Sequence, residues 1–220
     1  MRSPPNVRAA LLLLLAAALA FAARAAAGEA AEYPSRSVRL MVPAAAGSAL
    51  DSVARTVAAR LSPQLGQAVL IENQSDAARA FADAAHAPPD GHTLLLAGDR
   101  LLAELALQQA PDYELHSFAP ITLATRSARV AASAYVPAAR AGLGVAASQG
   151  FLAPAGTPGA VLKRLNREIV QILRNPEVSQ SLAALGHTVA PGTPAAHSAE
   201  LLRGLGAWMR VAHAAGARPD

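Results

Sequence analysis

The 220-residue chain contains no cysteine. That excludes a disulfide framework, a thiolate metal site, a cysteine nucleophile and a lipid-modified N-terminal cysteine, and it leaves stability to packing. Aromatic residues make up only 4% of the chain, and Lys163 is its single lysine. No basic stripe with interleaved aromatics exists, so no nucleic-acid partner is expected. The histidines (His86, His92, His116, His187, His197 and His213) offer no pair at ligand spacing on one helix face, which disfavours a metal site. No Gly-Lys-Ser/Thr phosphate loop occurs, and neither Ser48 nor Ser148 sits in a G-x-S-x-G elbow. Hydrolase chemistry is disfavoured, and no cofactor is expected.

The chain opens with Arg2 and Arg8 ahead of an apolar run from Ala9 to Ala23, short of the roughly twenty residues a spanning helix needs. Small residues at Ala25 and Ala27 complete the pattern of a secretory leader over residues 1–27. An uncleaved anchor is the less favoured alternative, and no membrane insertion is expected after cleavage. The leader takes three arginines with it, so the formal charge of +4 falls to about +1 and the basic character is no binding signal.

Beyond the leader, strand and helix patterns alternate. "SVRLMVP" predicts a strand over Val38–Val42, and "LDSVARTVAARLSPQLG" a helix with Val53, Val57 and Leu61 on one face, closed by Pro63 and Gly66. "AVLIEN", "HTLLLAG" and "FAPITLAT" predict further strands. "AARAFADAAHAP", anchored by Phe81, and "DRLLAELALQQA" predict the helices between them. Such alternation implies βαβ units and a parallel sheet, in which ligands bind beyond the carboxyl ends of the strands. From Arg126 to Gln149 no period is sustained, and the stretch reads as a long connection. After "GFLAPAG", three helices are predicted, each opened by a capping side chain and a proline: Thr157-Pro158, Asn175-Pro176 and Thr193-Pro194. "HTVAP" can add an edge strand, and the last helix turns Leu201, Leu205, Trp208 and Val211 inward.

The strand ends "PAAAGSALD", "ENQSD" and "AGDR" hold the candidate ligand-binding residues Gly47, Ser48, Ala49, Asp51, Gln74, Ser75, Gly98 and Asp99. Unpaired amides at the helix start after Gly47 suit a carboxylate or phosphate. Asp51 is either the cap of the first helix, which is favoured, or an acceptor facing a ligand. Ser75 and Asp76 can cap the second helix equally well. Arg100 can hold a carboxylate, although a solvated arginine is more common there.

Taken together, "YPSRSVRLMVP", "LGQAVLIEN", "APPDGHTLLLAG", "SFAPITLAT", "FLAPAGTP", "LNREIVQILRNPEVSQSLAALG" and "WMRVAHAAGARPD" run in order from Tyr33 to Asp220. This set resembles the Bug-type extracytoplasmic solute receptors of tripartite tricarboxylate transporters. The resemblance implies an α/β fold of the type II periplasmic-binding-protein kind: a doubly wound lobe over 33–125, and a crossover strand with C-terminal helices over 150–220. It also implies a periplasmic receptor for small carboxylates that delivers to a membrane permease, with no metal, no cofactor and no catalysis.

The departures from the family pattern are as informative. Ser48 stands where the family has a second glycine. "ENQSDAARAF" lacks the glycine-rich loop, and Asp76 there would repel a carboxylate. Residues 126–149 stand as the remnant of a second lobe from which roughly a hundred residues, a typical domain's length, are missing. A single lobe leaves one face of the ligand in water, so weak or lost carboxylate binding is expected, together with an exposed apolar underside of the crossover strands. The alternative is a one-lobe interaction or dimerisation module with no transport role.

Overall fold

A computed structural model describes residues 33–107, 112–127 and 147–214. The elements in chain order are β1 (Val38–Val42), α1 (Ala49–Leu65), β2 (Val69–Asn73), α2 (Ala77–Ala85), β3 (Thr93–Gly98) and α3 (Asp99–Leu107). A short 3-10 turn (Leu115–Ser117) leads into β4 (Phe118–Ser127). There follow β5 (Ala147–Pro154), α4 (Gly159–Arg174), α5 (Pro176–Ala184), β6 (Thr188–Val189) and α6 (Pro194–Ala214).

The strands form one sheet in the order β2-β1-β3-β5-β4-β6. Its first half is parallel, as βαβ units require: β1 pairs with β2 and with β3. The second half corrects the all-parallel expectation. β5 lies between β3 and β4 and runs antiparallel to both, and β6 pairs antiparallel with β4. The return strand β5 thus opposes both of its neighbours.

Side chains alternate across the sheet with period two, and helices cover both faces. Leu40, Val42, Leu94, Leu96, Phe151 and Ala153 pack against Val53, Val57 and Leu61 of α1, Leu165 and Ile169 of α4 and Leu182 of α5. Met41, Leu95, Ala97 and Leu152 face the other way, against Phe81 of α2, Leu101 and Leu102 of α3, and Leu201 and Trp208 of α6. The result is a doubly wound α/β sheet.

Two of the three Thr/Asn-Pro capping signals hold at the helix termini. The Asn175 side chain accepts from the amides of Glu177 and Val178, and Thr193 Oγ1 accepts from Ala196. Thr157 does not cap α4. Its hydroxyl donates back to the Pro154 carbonyl at 2.7 Å, and the N-cap position falls to Pro158, which has no side-chain acceptor. Pro63 sits inside the last turn of α1 rather than ending it, and Gly66, at φ +73°, closes the helix with its amide on the Ser62 carbonyl.

Strand pairing extends into the 126–149 stretch from both sides, because β4 runs on through Arg126 and Ser127 and β5 starts at Ala147. Residues 128–146 lie outside the described residues, as do Gly216 and the proposed leader. The expected apolar underside of the crossover strands is not found among the described residues. Their ends carry Thr125, Arg126, Ser127, Ser148 and Gln149, and the exposed large apolar side chains are Leu70, Leu185, Leu202 and Met209. The strands sit mid-sheet under helices on both sides, so their apolar positions are covered.

Candidate functional site

The carboxyl ends of β2, β1, β3 and β4 and the start of β5 share one rim of the sheet, because β5 runs opposite to its neighbours. This rim gathers Gln74, the Gly47–Asp51 turn, Gly98, Asp99, Ser148, Gln149, Thr125 and Arg126.

The β1–α1 turn is built around Asp51. Ser48, not Asp51, is the N-cap: its Oγ accepts from the Asp51 amide at 3.2 Å. Asp51 reciprocates one residue further out, accepting from the Gly47 amide at 2.7 Å, in the manner of a capping box. Gly47 holds φ +81°, a left-handed conformation that glycine adopts without strain. The same carboxylate accepts from Arg55 Nε at 2.8 Å and from Asn73 Nδ2 at 3.0 Å, which ties the turn to the end of β2. Asp51 is only 2% exposed. The Arg55 hydrogen bond, aided by those from Gly47 and Asn73, outweighs desolvation and lowers its pKa to about 2. With three of its roughly four acceptor sites held by internal donors, Asp51 locks the turn and keeps little capacity for a ligand. The amides of Ala49 and Leu50, at the first two helical positions, keep no intrahelical partner and stay available to an anion.

At the end of β2, the Gln74 amide donates to the Val42 carbonyl, while its side-chain Nε2 reaches Asp83 at 3.4 Å. Gln74 Oε1 is buried and makes no hydrogen bond among the described residues. Ser75 is exposed. Asp76 is the N-cap of α2, accepting from the Arg79 amide, so capping is its role.

At the end of β3, Gly98 is held close to β5, and Asp99 opens α3. Both Asp99 carboxylate oxygens accept from Ser148, one from its amide and one from its hydroxyl, each at 3.2 Å. Burial, reinforced by the nearby Glu200 carboxylate, outweighs the two Ser148 bonds and raises the Asp99 pKa to about 6. Arg100 leans on Glu104 of its own helix at 3.7 Å and stays exposed.

Sequence reasoning missed the α6 side of this rim. Glu200 binds Arg126 at 3.2 Å and also pairs with Arg203. These guanidinium groups hold its carboxyl below the usual range despite its burial. One turn earlier, His197 is 2% exposed, and its ring fills the space that a Cβ on Gly150 would need. Burial lowers its pKa to about 4, so the imidazole is neutral above mild acid. Neither residue carries a sequence signal, because each meets β4 or β5 only through tertiary packing of α6. Arg55 and Asn73 were also missed. Arg55 was readable as an i+4 partner of Asp51, whereas Asn73 lies 22 positions away.

None of the eight candidate residues lines the large groove of about 780 Å3 along α6. That groove is bounded by Leu105, Tyr113, Leu115, Leu202, Leu205 and Met209, among others. Among the described residues, no cluster of three or more His, Asp or Glu could hold a metal ion, and no helix is long and apolar enough to cross a membrane.

No protein-family model matches the chain. A UPF0065 protein of Bordetella bronchiseptica is 35% identical over 197 residues, covering 84% of this chain and 55% of the relative. Protein BugT of Bordetella pertussis is 32% identical over 118 residues, covering 51% of this chain and 36% of the relative. The chain thus spans about half the length of the first of these curated relatives, and less of the second. Among solved structures, the periplasmic binding protein BugD matches with a TM-score of 0.73 at 20% identity, over 84% of this chain and 99% of that one. MatC of Rhodopseudomonas palustris, described with bound malate, matches with a TM-score of 0.72 at 20% identity, over 81% of this chain and 99% of that one.

Proposed function

Starting from a chain that is a relative of the Bug-type solute receptors in sequence and in fold, we propose that it is a periplasmic solute-binding receptor for small carboxylates, not an enzyme. In this reading it serves the permease of a tripartite tricarboxylate transporter and binds weakly because most of the second lobe is missing. The observation that carries the proposal is the rim itself. Five strand ends converge there, with the free amides of Ala49 and Leu50, the exposed Arg55 guanidinium and the polar Ser148–Gln149 segment. Ser127 pairs with Ala147 in the sheet. The 19 residues between them are fewer than the roughly 50 of even a small domain. With no facing lobe to exclude water, a carboxylate gains little over its hydration.

NMR titration of the protein lacking residues 1–27 with succinate, adipate and malate tests this. We expect Kd values in the millimolar range, about −4 kcal/mol, with shifts centred on the amides of Ala49, Leu50, Gly98 and Asp99. Micromolar binding would sink the missing-lobe argument. Silence at these amides with every acid would sink the receptor reading.

One observation favours a second reading, a one-lobe interaction module. Leu202 and Met209 are 62% and 53% exposed on α6 beside the apolar groove. Light scattering that shows a stable dimer, lost on Leu202→Glu, together with no acid binding, would select it.

A further inference from the structure

The two faces of the sheet differ in charge. Counting arginine, lysine, aspartate and glutamate, α1, α4 and α5 on one face carry six basic residues against three acidic ones. α4 alone holds four of those six. On the other face, α2, α3 and α6 carry four of each sign.

The packing of α4 decides where its charges point. Val161, Leu165, Ile169, Ile172 and Leu173 are buried, which turns Lys163, Arg167, Gln171 and Arg174 to solvent as one line down the opposite side. Arg167 and Arg174 both line a groove of about 510 Å3, together with Val170, Gln171 and Asn175. Two turns of helix separate the two arginines, about 10.5 Å of rise. Arg167 is drawn to Glu168 at 2.7 Å, yet its side chain is 69% exposed, and an exposed pair of this kind holds it weakly.

The shape of the surface favours a narrow partner over a flat one. Glu177, two positions past Asn175, has its side chain 80% exposed and is reached by Arg60 at 3.3 Å. An anionic bilayer lying across this face would meet that carboxylate as a like charge, whereas a single segment seated in the groove passes beside it.

We propose that the groove on α4 is a docking surface for an acidic polypeptide segment of a partner protein, one that presents two carboxylates about 10 Å apart, the spacing of positions i and i+7 on a helix. Arg167 and Arg174 each take one carboxylate through the two-pronged guanidinium geometry. Complementary charge of this kind speeds encounter and selects the partner.

The test uses the protein lacking residues 1–27 and fluorescence anisotropy at pH 7.5 and low ionic strength. The probe is a fluorescein-labelled, alanine-rich helical peptide with two glutamates seven residues apart, compared with its glutamine counterpart. The glutamate peptide should bind about tenfold more tightly. That preference should fall below about twofold in the double variant Arg167→Gln/Arg174→Gln. It should survive in Arg36→Gln/Arg79→Gln, which removes the same charge from exposed positions off α4. Equal affinity for the two peptides, or a preference that both double variants keep or both lose, overturns the assignment. Sedimentation with phosphatidylglycerol vesicles that depends on Arg167 and Arg174, without discrimination between the peptides, overturns it in favour of a membrane surface. None of these results bears on acid binding at the rim, because no rim residue lies on α4.

Discussion

Two aspartates open helices on the same rim, and their surroundings drive them in opposite directions. Asp51 gains three donors and ionises more easily than a free carboxyl, whereas Asp99 gains two long bonds and loses water. The signs of their pH effects follow. The depressed pKa of Asp51 adds stability above about pH 4, and that contribution is lost as pH falls toward 2. Urea midpoints of Asp51→Asn should therefore lie below those of the unsubstituted protein at pH 6 and converge with them near pH 2. At neutral pH the loss should be about 2 kcal/mol, the scale of breaking a buried hydrogen-bond set. Asp99 does the reverse. Between about pH 4 and 6 the folded state binds more protons at Asp99 than the unfolded state, so its contribution weakens as pH rises through that window. Asp99→Asn should raise the thermal midpoint at pH 7.5 and leave it unchanged near pH 3.5. A fall at pH 7.5 would show that the charge is compensated after all. Although Asp51 rather than Ser48 was favoured as its cap, the start of α1 was legible. The reach of Asn73 was not, because a contact across 22 positions leaves no local pattern.

At the level of elements, patterns within a few residues were readable and contacts between strands were not. Four strands were readable as short apolar runs such as Leu94–Ala97, buried along its whole length, and β6 as an edge strand, whereas β5 was expected only through the family resemblance. The antiparallel insertion of β5 between β3 and β4 was invisible, because periodicity fixes which face a residue occupies and not which strand lies beside it. The caps divide in the same way. Asn175 caps α5 as its Asn-Pro signal implies, and Asn175→Ala should cost about 1 kcal/mol in chemical denaturation. Thr157 carries the same signal, yet its hydroxyl serves the buried Pro154 carbonyl at the end of β5. Asn166 of α4 had no sequence signal at all. Its Nδ2 donates at 2.8 Å to both the Ile121 carbonyl in the irregular part of β4 and the Gly192 carbonyl before α6. Asn166→Leu should cost about 1–2 kcal/mol, because the Ile121 carbonyl loses this donor while the Gly192 carbonyl keeps its bond from Thr122 Oγ1, with backbone exchange of β4 and α6 as the readout.

For the molecule as a whole, the order of elements implied a doubly wound sheet, and the sequence period was lost from Arg126 onward. Among the described residues the core lies in the sheet and its helices, with both crossover strands tied in on either side of residues 128–146. Replacing residues 130–144 with a Gly/Ser segment of equal length should leave the thermal midpoint within a few degrees if β4–β5 pairing suffices to hold the two strands. A collapse of the midpoint would mean that the segment carries core contacts.

The pairing of Ser127 with Ala147 has a consequence for how such a protein is built. Neighbouring residues on antiparallel strands sit about 5 Å apart, so the sheet offers two chain ends side by side, held in place whatever is hung between them. That is a socket. Any folded unit whose own termini lie close together can be spliced there without disturbing a rung of the ladder. Under the proposed receptor reading, a second lobe grafted between Ser127 and Ala147 is the natural first insert, and tight acid binding by that chimera would make the sheet a platform whose specificity is exchanged as a cassette.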